Sequence, residues 1–142
     1  MKKKKLLNLL LVIIWMTVIF VMSSFNATDS GNQSGLIVSF ISNIIHIDNP
    51  EFISHIVRKT AHFTEYFILG ILFLNYIKDY KLRNKIMISI IFCFIYASLD
   101  EFHQTFVPGR AGLFSDVLID TFGAITGIIL YFLLILKRNA KK

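Results

Sequence analysis

Four long apolar runs constrain the fold of this chain more than any other feature of its sequence. They occupy residues 6–22, 63–77, 86–99 and 117–136, and 55% of all residues are hydrophobic. A transmembrane helix needs about 20 mainly apolar residues, and a chain this apolar is unlike a small water-soluble domain. The sequence therefore predicts an all-α, polytopic membrane protein with four transmembrane helices.

The boundaries of these helices follow from the runs and their flanks. We expect them at about 6–25, 58–78, 85–104 and 116–136, in a single membrane domain that covers residues 1–142. The first run follows the sequence MKKKK and is longer than the roughly 7–15 apolar residues of a cleaved secretory signal. We therefore interpret it as an uncleaved signal anchor.

The segment 26–57, between the first two helices, begins with a stretch rich in Ser, Asn and Gly and is predicted to be an external loop. Later in it, apolar residues recur at helical spacing opposite polar ones. This pattern predicts a short amphipathic interfacial helix at 35–46, with Ser34 as its N-cap. Asn49, Pro50 and Glu51 then form a typical helix start, so the second spanning helix could begin near Pro50.

The positions of the cations predict the orientation in the membrane, because Lys and Arg resist translocation. Twelve of the 15 cations form three groups beside the runs: Lys2, Lys3, Lys4 and Lys5; Lys78, Lys81, Arg83 and Lys85; Lys137, Arg138, Lys141 and Lys142. An even number of crossings puts all three groups, and both termini, on the cytoplasmic side. The net charge of +6 is then explained by topology, and the expected partner is the lipid bilayer and not nucleic acid.

Several ionisable residues interrupt the apolar runs near their outer ends. On the second helix, Arg58, His62 and Glu65 share one face at 100° per residue. On the fourth, Asp116 and Asp120 share a face with two glycines, Gly123 and Gly127, whose GxxxG spacing permits close helix approach. The third run is short, so Asp100 and Glu101 must lie below the headgroup level.

Two further features point to the same region. Gln104 follows Asp100 and Glu101 by one helical turn and could orient either carboxylate. The sequence Val107-Pro-Gly-Arg110 predicts a tight turn that swings Arg110 back over these residues. Because isolated charges in lipid are costly, we expect these groups to gather into one outward-facing polar pocket.

The balance of charge in this pocket limits its chemistry. Its acids outnumber its cations, so the deficit could be met by a divalent metal, by protonated carboxylates or by a cationic ligand. The spacing His62-x-x-Glu65 puts two metal-ligand types one turn apart on one helix.

Three motifs carry a resemblance to a known family: RKxxHFxEY at 58–66, DExxQxFxPGR at 100–110 and DxxxDxxGxxxG at 116–127. Their order and spacing closely resemble the VanZ-like family of bacterial membrane proteins, whose founding member is associated with teicoplanin resistance. The resemblance implies a four-helix integral protein of the bacterial cytoplasmic membrane and cell envelope. Mapping the motifs onto this chain gives the following residues: Arg58, Lys59, His62, Glu65, Tyr66, Asp100, Glu101, Gln104, Pro108, Gly109, Arg110, Asp116 and Asp120.

Three functions remain open from the sequence. The pocket could bind or modify an envelope lipid, a cell-wall precursor or a glycopeptide antibiotic such as teicoplanin. It could instead be the active site of a membrane-embedded hydrolase or transferase, with His62, Glu65, Asp100 and Glu101 as catalytic groups or metal ligands. Finally, the charged residues could form an ion-pair network that fixes the helices without performing chemistry.

Overall fold

The described part of the chain folds into five α-helices. The computed structural model describes residues 2–42, 44, 49–77 and 81–139, and it contains no strand within them. The helices are α1 (Lys2–Ser23), α2 (Ala27–Ser42), α3 (Pro50–Tyr76), α4 (Leu82–Gln104) and α5 (Phe114–Asn139). The predicted all-α class is confirmed for the described part of the chain.

Three of these helices contain a segment long and apolar enough to cross a membrane: Lys3–Ser23, Leu82–Gln104 and Phe114–Lys137. Many of their large apolar side chains are exposed, as expected for surfaces that face lipid. Residues 58–65 of α3 include Arg58, Lys59, His62 and Glu65, which lower its mean hydropathy, and α3 is not among the three. The prediction of a multi-pass membrane protein is supported. Three of the four predicted spans correspond to helices that are long and apolar enough to cross a membrane, so the count of four is not confirmed.

The segment after α1 differs from the sequence-based prediction. α2 begins at Ala27, inside the stretch expected to be an external loop, and not at residue 35. Asn26 explains this start, because its Oδ1 accepts a hydrogen bond from the backbone N–H of Asp29, 2.9 Å away. Ser34, predicted as the N-cap, lies within the helix, where its Oγ is 3.0 Å from the carbonyl oxygen of Ser30. Residues 43, 45 and 46 at the end of the predicted amphipathic helix lie outside the described residues.

The start of α3 agrees with its sequence. The Oδ1 atom of Asn49 accepts a hydrogen bond from the backbone N–H of Phe52, 3.0 Å away, and Pro50 occupies the first helical position. Proline is favoured there because the first N–H groups of a helix have no intrahelical partner.

Hydrogen bonds between helices define which helix ends lie together. Asn8 near the start of α1 donates to the carbonyl oxygen of Asn75 near the end of α3, 3.2 Å away. Ser23 at the end of α1 donates to Asp100 near the end of α4. α1 and α4 are therefore parallel to each other and antiparallel to α3, and the cation-rich ends of α1, α4 and α5 lie away from the polar residues. Lys78, Lys141 and Lys142 of the predicted cytoplasmic groups fall outside the described residues.

The most extensive helix contact joins α3 to α5, and glycines make it close. A Cβ atom at Gly123 would overlap the backbone carbonyl of Phe63, and one at Gly127 would overlap that of Phe67. From the other side, a Cβ atom at Gly70 would lie 2.7 Å from the carbonyl oxygen of Ala124. The predicted role of the GxxxG spacing in close helix approach is confirmed.

Candidate functional site

A group of one histidine and three carboxylates lies where α3, α4 and α5 meet, near the end of α1. His62, Asp100, Glu101 and Asp120 each offer one ligand atom, and these atoms all lie within 4.8 Å of one another. We call these four residues the acidic cluster. Asp120 is 0% exposed, and Asp100 and Glu101 are each 4% exposed, so the three carboxylates are nearly sealed from solvent, whereas His62 is partly exposed.

The packing of α5 on α3 brings Asp120 to His62. Asp120 precedes Gly123 by about one helical turn, so both residues face α3. The close approach at Gly123 therefore leaves Asp120 Oδ2 3.8 Å from His62 Nδ1. This distance is too long for a direct hydrogen bond, and neither atom has a hydrogen-bond partner among the described residues.

The two carboxylates of α4 are held more firmly. Asp100 Oδ2 accepts a hydrogen bond from Ser23 Oγ, 2.8 Å away. Glu101 Oε2 accepts one from the backbone N–H of Leu113 at 2.9 Å, and its Oε1 accepts one from Gln104 Nε2 at 3.2 Å. In contrast, Asp100 Oδ1 and both oxygens of Asp120 are buried without a partner in the described chain.

The turn after α4 returns Arg110 to the site. Gly109 adopts a φ of 75°, and the N–H of Arg110 donates to the carbonyl oxygen of Val107 at 3.1 Å. The guanidinium donates from Nη1 to Gln104 Oε1 at 3.2 Å and from Nε to the carbonyl oxygen of Phe25 at 3.1 Å. Burial lowers the pKa of Arg110 from its usual value, and the nearby charge of Arg58 acts in the same direction.

A cavity of about 140 Å³ lies beside the acidic cluster, between α1, α2, α3 and the Arg110 turn. Arg58, His62, Glu65 and Arg110 contribute its charged or titratable lining. The Nε atom of Arg58 is buried and has no hydrogen-bond partner among the residues that the structure describes. Two guanidinium groups therefore line the cavity. His62 lines it as well and also belongs to the acidic cluster, so the cavity and the cluster adjoin.

An apolar groove of about 500 Å³ runs along α1, α2 and α3 next to this cavity. Ile37, Val57, Ala61 and Glu65 line both spaces, so the groove and the cavity adjoin. Trp15 and Ile68 continue the groove along the bundle.

The similarity of this chain to known proteins identifies its family. The model of the VanZ/LLP1 family matches residues 8–136. The chain belongs to the VanZ/LLP1 family. The resemblance inferred from the three motifs is therefore confirmed, and with it the multi-pass membrane character of the protein. No match was found among curated proteins or among solved structures.

The motif residues of this VanZ/LLP1 chain separate into distinct groups in the structure. Three of the four proposed catalytic or metal-binding residues, His62, Asp100 and Glu101, are in the acidic cluster. The fourth, Glu65, lies outside the cluster and lines the cavity and the groove, while Asp120 takes a place in the cluster. Glu65 is three residues from His62, so it is rotated about 60° around the helix, away from α5.

Two other predicted residues pair with each other outside the cluster. Lys59 and Asp116 form an ion pair between α3 and α5, and both side chains are partly exposed. None of the three cluster carboxylates forms an ion pair with Lys or Arg within the described ranges. Of the ion-pair network considered from the sequence, the described residues therefore contain one Lys–Asp pair, between Lys59 and Asp116.

Tyr66, another residue of the first motif, is 0% exposed, and its hydroxyl has no hydrogen-bond partner in the described residues. It follows His62 by one helical turn and so lies on the same face of α3.

Sequence reasoning missed two contributors to the site, Ser23 and Phe25, which bind Asp100 and Arg110. The end of α1 has no motif, and the only available signal was the polar pair Ser23 and Ser24 directly after a long apolar run.

Proposed function

We propose that this VanZ/LLP1 protein binds the phosphate-bearing headgroup of an envelope lipid or lipid-linked cell-wall precursor from the outer face of the bacterial cytoplasmic membrane. The observation that carries the proposal is the pair of arginines, Arg58 and Arg110, lining one cavity without a carboxylate partner among the described residues. Guanidinium groups bind phosphate in a bidentate manner and retain their charge when buried. A phosphate between them would also relieve their mutual repulsion.

The outward orientation rests on the helix ends. We take α3 as the fourth span, because 27 residues at about 1.5 Å each exceed the thickness of the hydrocarbon core. Its polar residues then face the cavity and the cluster. The ends that carry Lys3, Lys81 and Lys137 lie opposite the site, and the preference of such cations for the cytoplasm puts the site outside.

A lipid is favoured over a soluble phosphate by the adjoining apolar groove. A headgroup in the cavity would leave its hydrocarbon chain next to Ile37, Val57 and Ala61, which line both spaces. The chain could then continue past Trp15 and Ile68 without leaving an apolar environment. Entry from the side, within the membrane, follows from this arrangement.

The size of the cavity bears on the antibiotic association of the family. Its volume of about 140 Å³ is below the roughly 300–1,000 Å³ of sites for drug-sized ligands. A lipid headgroup suits this volume better than a whole glycopeptide antibiotic. Resistance of the teicoplanin type would then arise through an effect on the precursor lipid and not through capture of the drug.

A second candidate function is a hydrolase or transferase acting on the same headgroup. The unpartnered buried oxygens of Asp120 and Asp100 beside the arginine-lined cavity favour it. In hydrolysis, Glu65 on the cavity wall would accept a proton from a water that attacks phosphorus. The bond from phosphorus to the leaving oxygen would break, that oxygen would take up a proton, and the arginines would stabilise the charge on the phosphoryl oxygens. Release of inorganic or headgroup phosphate from a bound lipid would distinguish this function from binding alone.

Binding to the purified full chain in detergent tests the principal proposal. Native mass spectrometry would compare an isoprenoid phosphate, the matching isoprenoid alcohol and phosphatidylglycerol. We expect the isoprenoid phosphate to bind at least about tenfold more tightly than the alcohol, because hydrogen bonds to charged groups contribute about 1.5–3 kcal/mol. Arg110→Ala should remove this preference, whereas Arg83→Ala, an exposed residue at the opposite end, should retain it.

Two results would contradict the proposal. One is equal binding of the phosphate and the alcohol by the unmodified protein. The other is an unchanged preference in Arg110→Ala. Equal affinity for phosphatidylglycerol and the isoprenoid phosphate would identify the bulk lipid headgroup, and not the precursor, as the ligand.

A further inference from the structure

We propose that the acidic cluster binds one divalent cation, with His62, Asp100, Glu101 and Asp120 as its protein ligands and Mn²⁺ as the ion that suits them best. This metal site stands on its own observations and does not depend on the identity of the lipid.

The geometry of the four ligand atoms fits a single ion. They all lie within 4.8 Å of one another and come from three different helices. Ligands on opposite sides of an octahedral ion with bonds of about 2.0–2.2 Å are about 4.0–4.4 Å apart. The four atoms are therefore close enough for movements of their side chains to bring them onto one ion.

The unpartnered atoms in the cluster point to a ligand. Asp120 is 0% exposed, and neither of its oxygens has a hydrogen-bond partner among the described residues. Asp100 is 4% exposed and has one such oxygen, Oδ1, and His62 Nδ1 is likewise buried without a partner. Buried polar atoms are nearly always paired, so four unpartnered ones within a single cluster need an explanation. Coordination to one ion would satisfy all four.

The charge of the cluster leads to the same conclusion. Three carboxylates are buried together, and in the described part of the chain none forms an ion pair with Lys or Arg. A divalent cation would offset two of the three charges. His62 would then be neutral, because a metal-bound nitrogen must carry a lone pair.

Neighbouring groups hold the ligands in place. Ser23 Oγ and Gln104 Nε2 donate to Asp100 Oδ2, at 2.8 and 3.5 Å, which leaves Oδ1 free for an ion. The N–H of Leu113 fixes one oxygen of Glu101. Metal-binding carboxylates are commonly oriented by hydrogen bonds of this kind.

The type of ligand selects the ion. The cluster offers three carboxylates, one imidazole and no thiolate. Carboxylates suit Mg²⁺, Ca²⁺ and Mn²⁺, whereas imidazole disfavours the first two, so Mn²⁺ is the best common choice. Because His62 also lines the arginine-lined cavity, a coordination position left by the four protein ligands would open toward that cavity.

Titration of the full chain with Mn²⁺ alone tests the site. The protein would be purified in detergent, stripped with EDTA and followed by isothermal titration calorimetry and electron paramagnetic resonance. We expect one Mn²⁺ per chain and a higher Tm with Mn²⁺ than without it. Asp120→Asn should weaken binding by at least about tenfold, while Asp29→Asn, an exposed acid on α2, should leave it unchanged.

Spin-echo modulation gives a test that does not depend on the folding of an aspartate variant. Bound Mn²⁺ in the unmodified protein should couple to one imidazole nitrogen. His62→Ala should abolish this signal, and the variant should still bind Mn²⁺, but more weakly than the unmodified protein. Fewer than about one Mn²⁺ per ten chains, or bound Mn²⁺ without a nitrogen signal, would overturn the proposal. If the lipid-binding measurement above is carried out with EDTA present, its outcome does not depend on whether the metal binds.

Discussion

Among the described residues, Gln104 is the side chain that connects Arg110 to the buried carboxylates. Its Nη1 donates to Gln104 Oε1 at 3.2 Å, and the amide nitrogen of the same side chain donates to Glu101 Oε1 at 3.2 Å and to Asp100 Oδ2 at 3.5 Å. The amide is suited to this position because it accepts from a cation on one side and donates to anions on the other. It joins the Arg110 turn to the acidic cluster.

Gln104→Leu should therefore lower the free energy of unfolding more than expected for two side chains of similar size. The substitution leaves the buried Glu101 Oε1 and the partly buried Arg110 Nη1 without their partner. An unsatisfied buried group costs about 1–3 kcal/mol, so the loss at Glu101 should dominate. Thermal unfolding in detergent, followed by circular dichroism, would measure the loss. Ser98→Ala, which removes an exposed bond to a carbonyl of its own helix, is the control and should change Tm little. Equal effects of the two substitutions would show that Gln104 does not connect these groups.

Tyr66, which is buried, and Tyr96, which is partly buried, provide a comparison of structure and function. Tyr66 has no hydrogen-bond partner among the described residues, whereas Tyr96 donates to the carbonyl oxygen of Met16 at 2.7 Å. Tyr96→Phe should destabilise the protein by about 1 kcal/mol, while Tyr66→Phe should leave Tm unchanged or raise it. Tyr66 does not line the cavity, so Tyr66→Phe should leave isoprenoid phosphate binding unchanged. A fall in Tm for Tyr66→Phe would show that its hydroxyl has a partner that stabilises the fold.

Two glycines, one inside the close contact between α3 and α5 and one outside it, should respond to substitution with opposite changes in stability. A Cβ atom at Gly123 would overlap the backbone of Phe63, so Gly123→Ala should cost about 1–3 kcal/mol from overpacking. At Gly31 on α2 a Cβ atom would have nothing within 4 Å, and Gly31→Ala should stabilise its helix by up to about 1 kcal/mol. Opposite shifts of Tm in the two variants are expected. A stabilised Gly123→Ala would mean that the helices are farther apart than the structure has them.

The sequence predicted what is local to one helix. The shared face of Arg58 and His62, the tight turn before Arg110 and the position of Gln104 all follow from helical periodicity or turn residues. Each is found in the structure because the groups concerned are neighbours along the chain. The start of α3 at Pro50 was predicted for the same reason.

Contacts between helices were predicted less well. His62 and Glu65 are one turn apart, which suggested that both could be ligands, but periodicity does not tell which of them faces α5. The glycines of α5 decide this, since they bring Asp120 to His62 and leave Glu65 at the cavity. The bond from Ser23 to Asp100 likewise joins residues far apart in sequence, and no spacing rule could indicate it. The early start of α2 depends on a single cap at Asn26 in a stretch whose composition favours loops.

Ala61→Trp tests separately how the headgroup and the hydrocarbon chain of the proposed ligand contribute to binding. Ala61 lines both the cavity and the apolar groove, and its side chain is exposed, so a large ring there should obstruct the groove without disturbing the core. Long-chain isoprenoid phosphate should then bind about tenfold or more weakly, whereas a short-chain phosphate that fills only the cavity should lose much less. Leu118→Trp, an exposed position on α5 that lines neither space, is the control for adding a large ring to the lipid-facing surface. Equal losses for the long-chain and short-chain phosphates in Ala61→Trp would mean that the ligand's chain does not follow the groove, and the argument for a lipid would then rest on the membrane location alone.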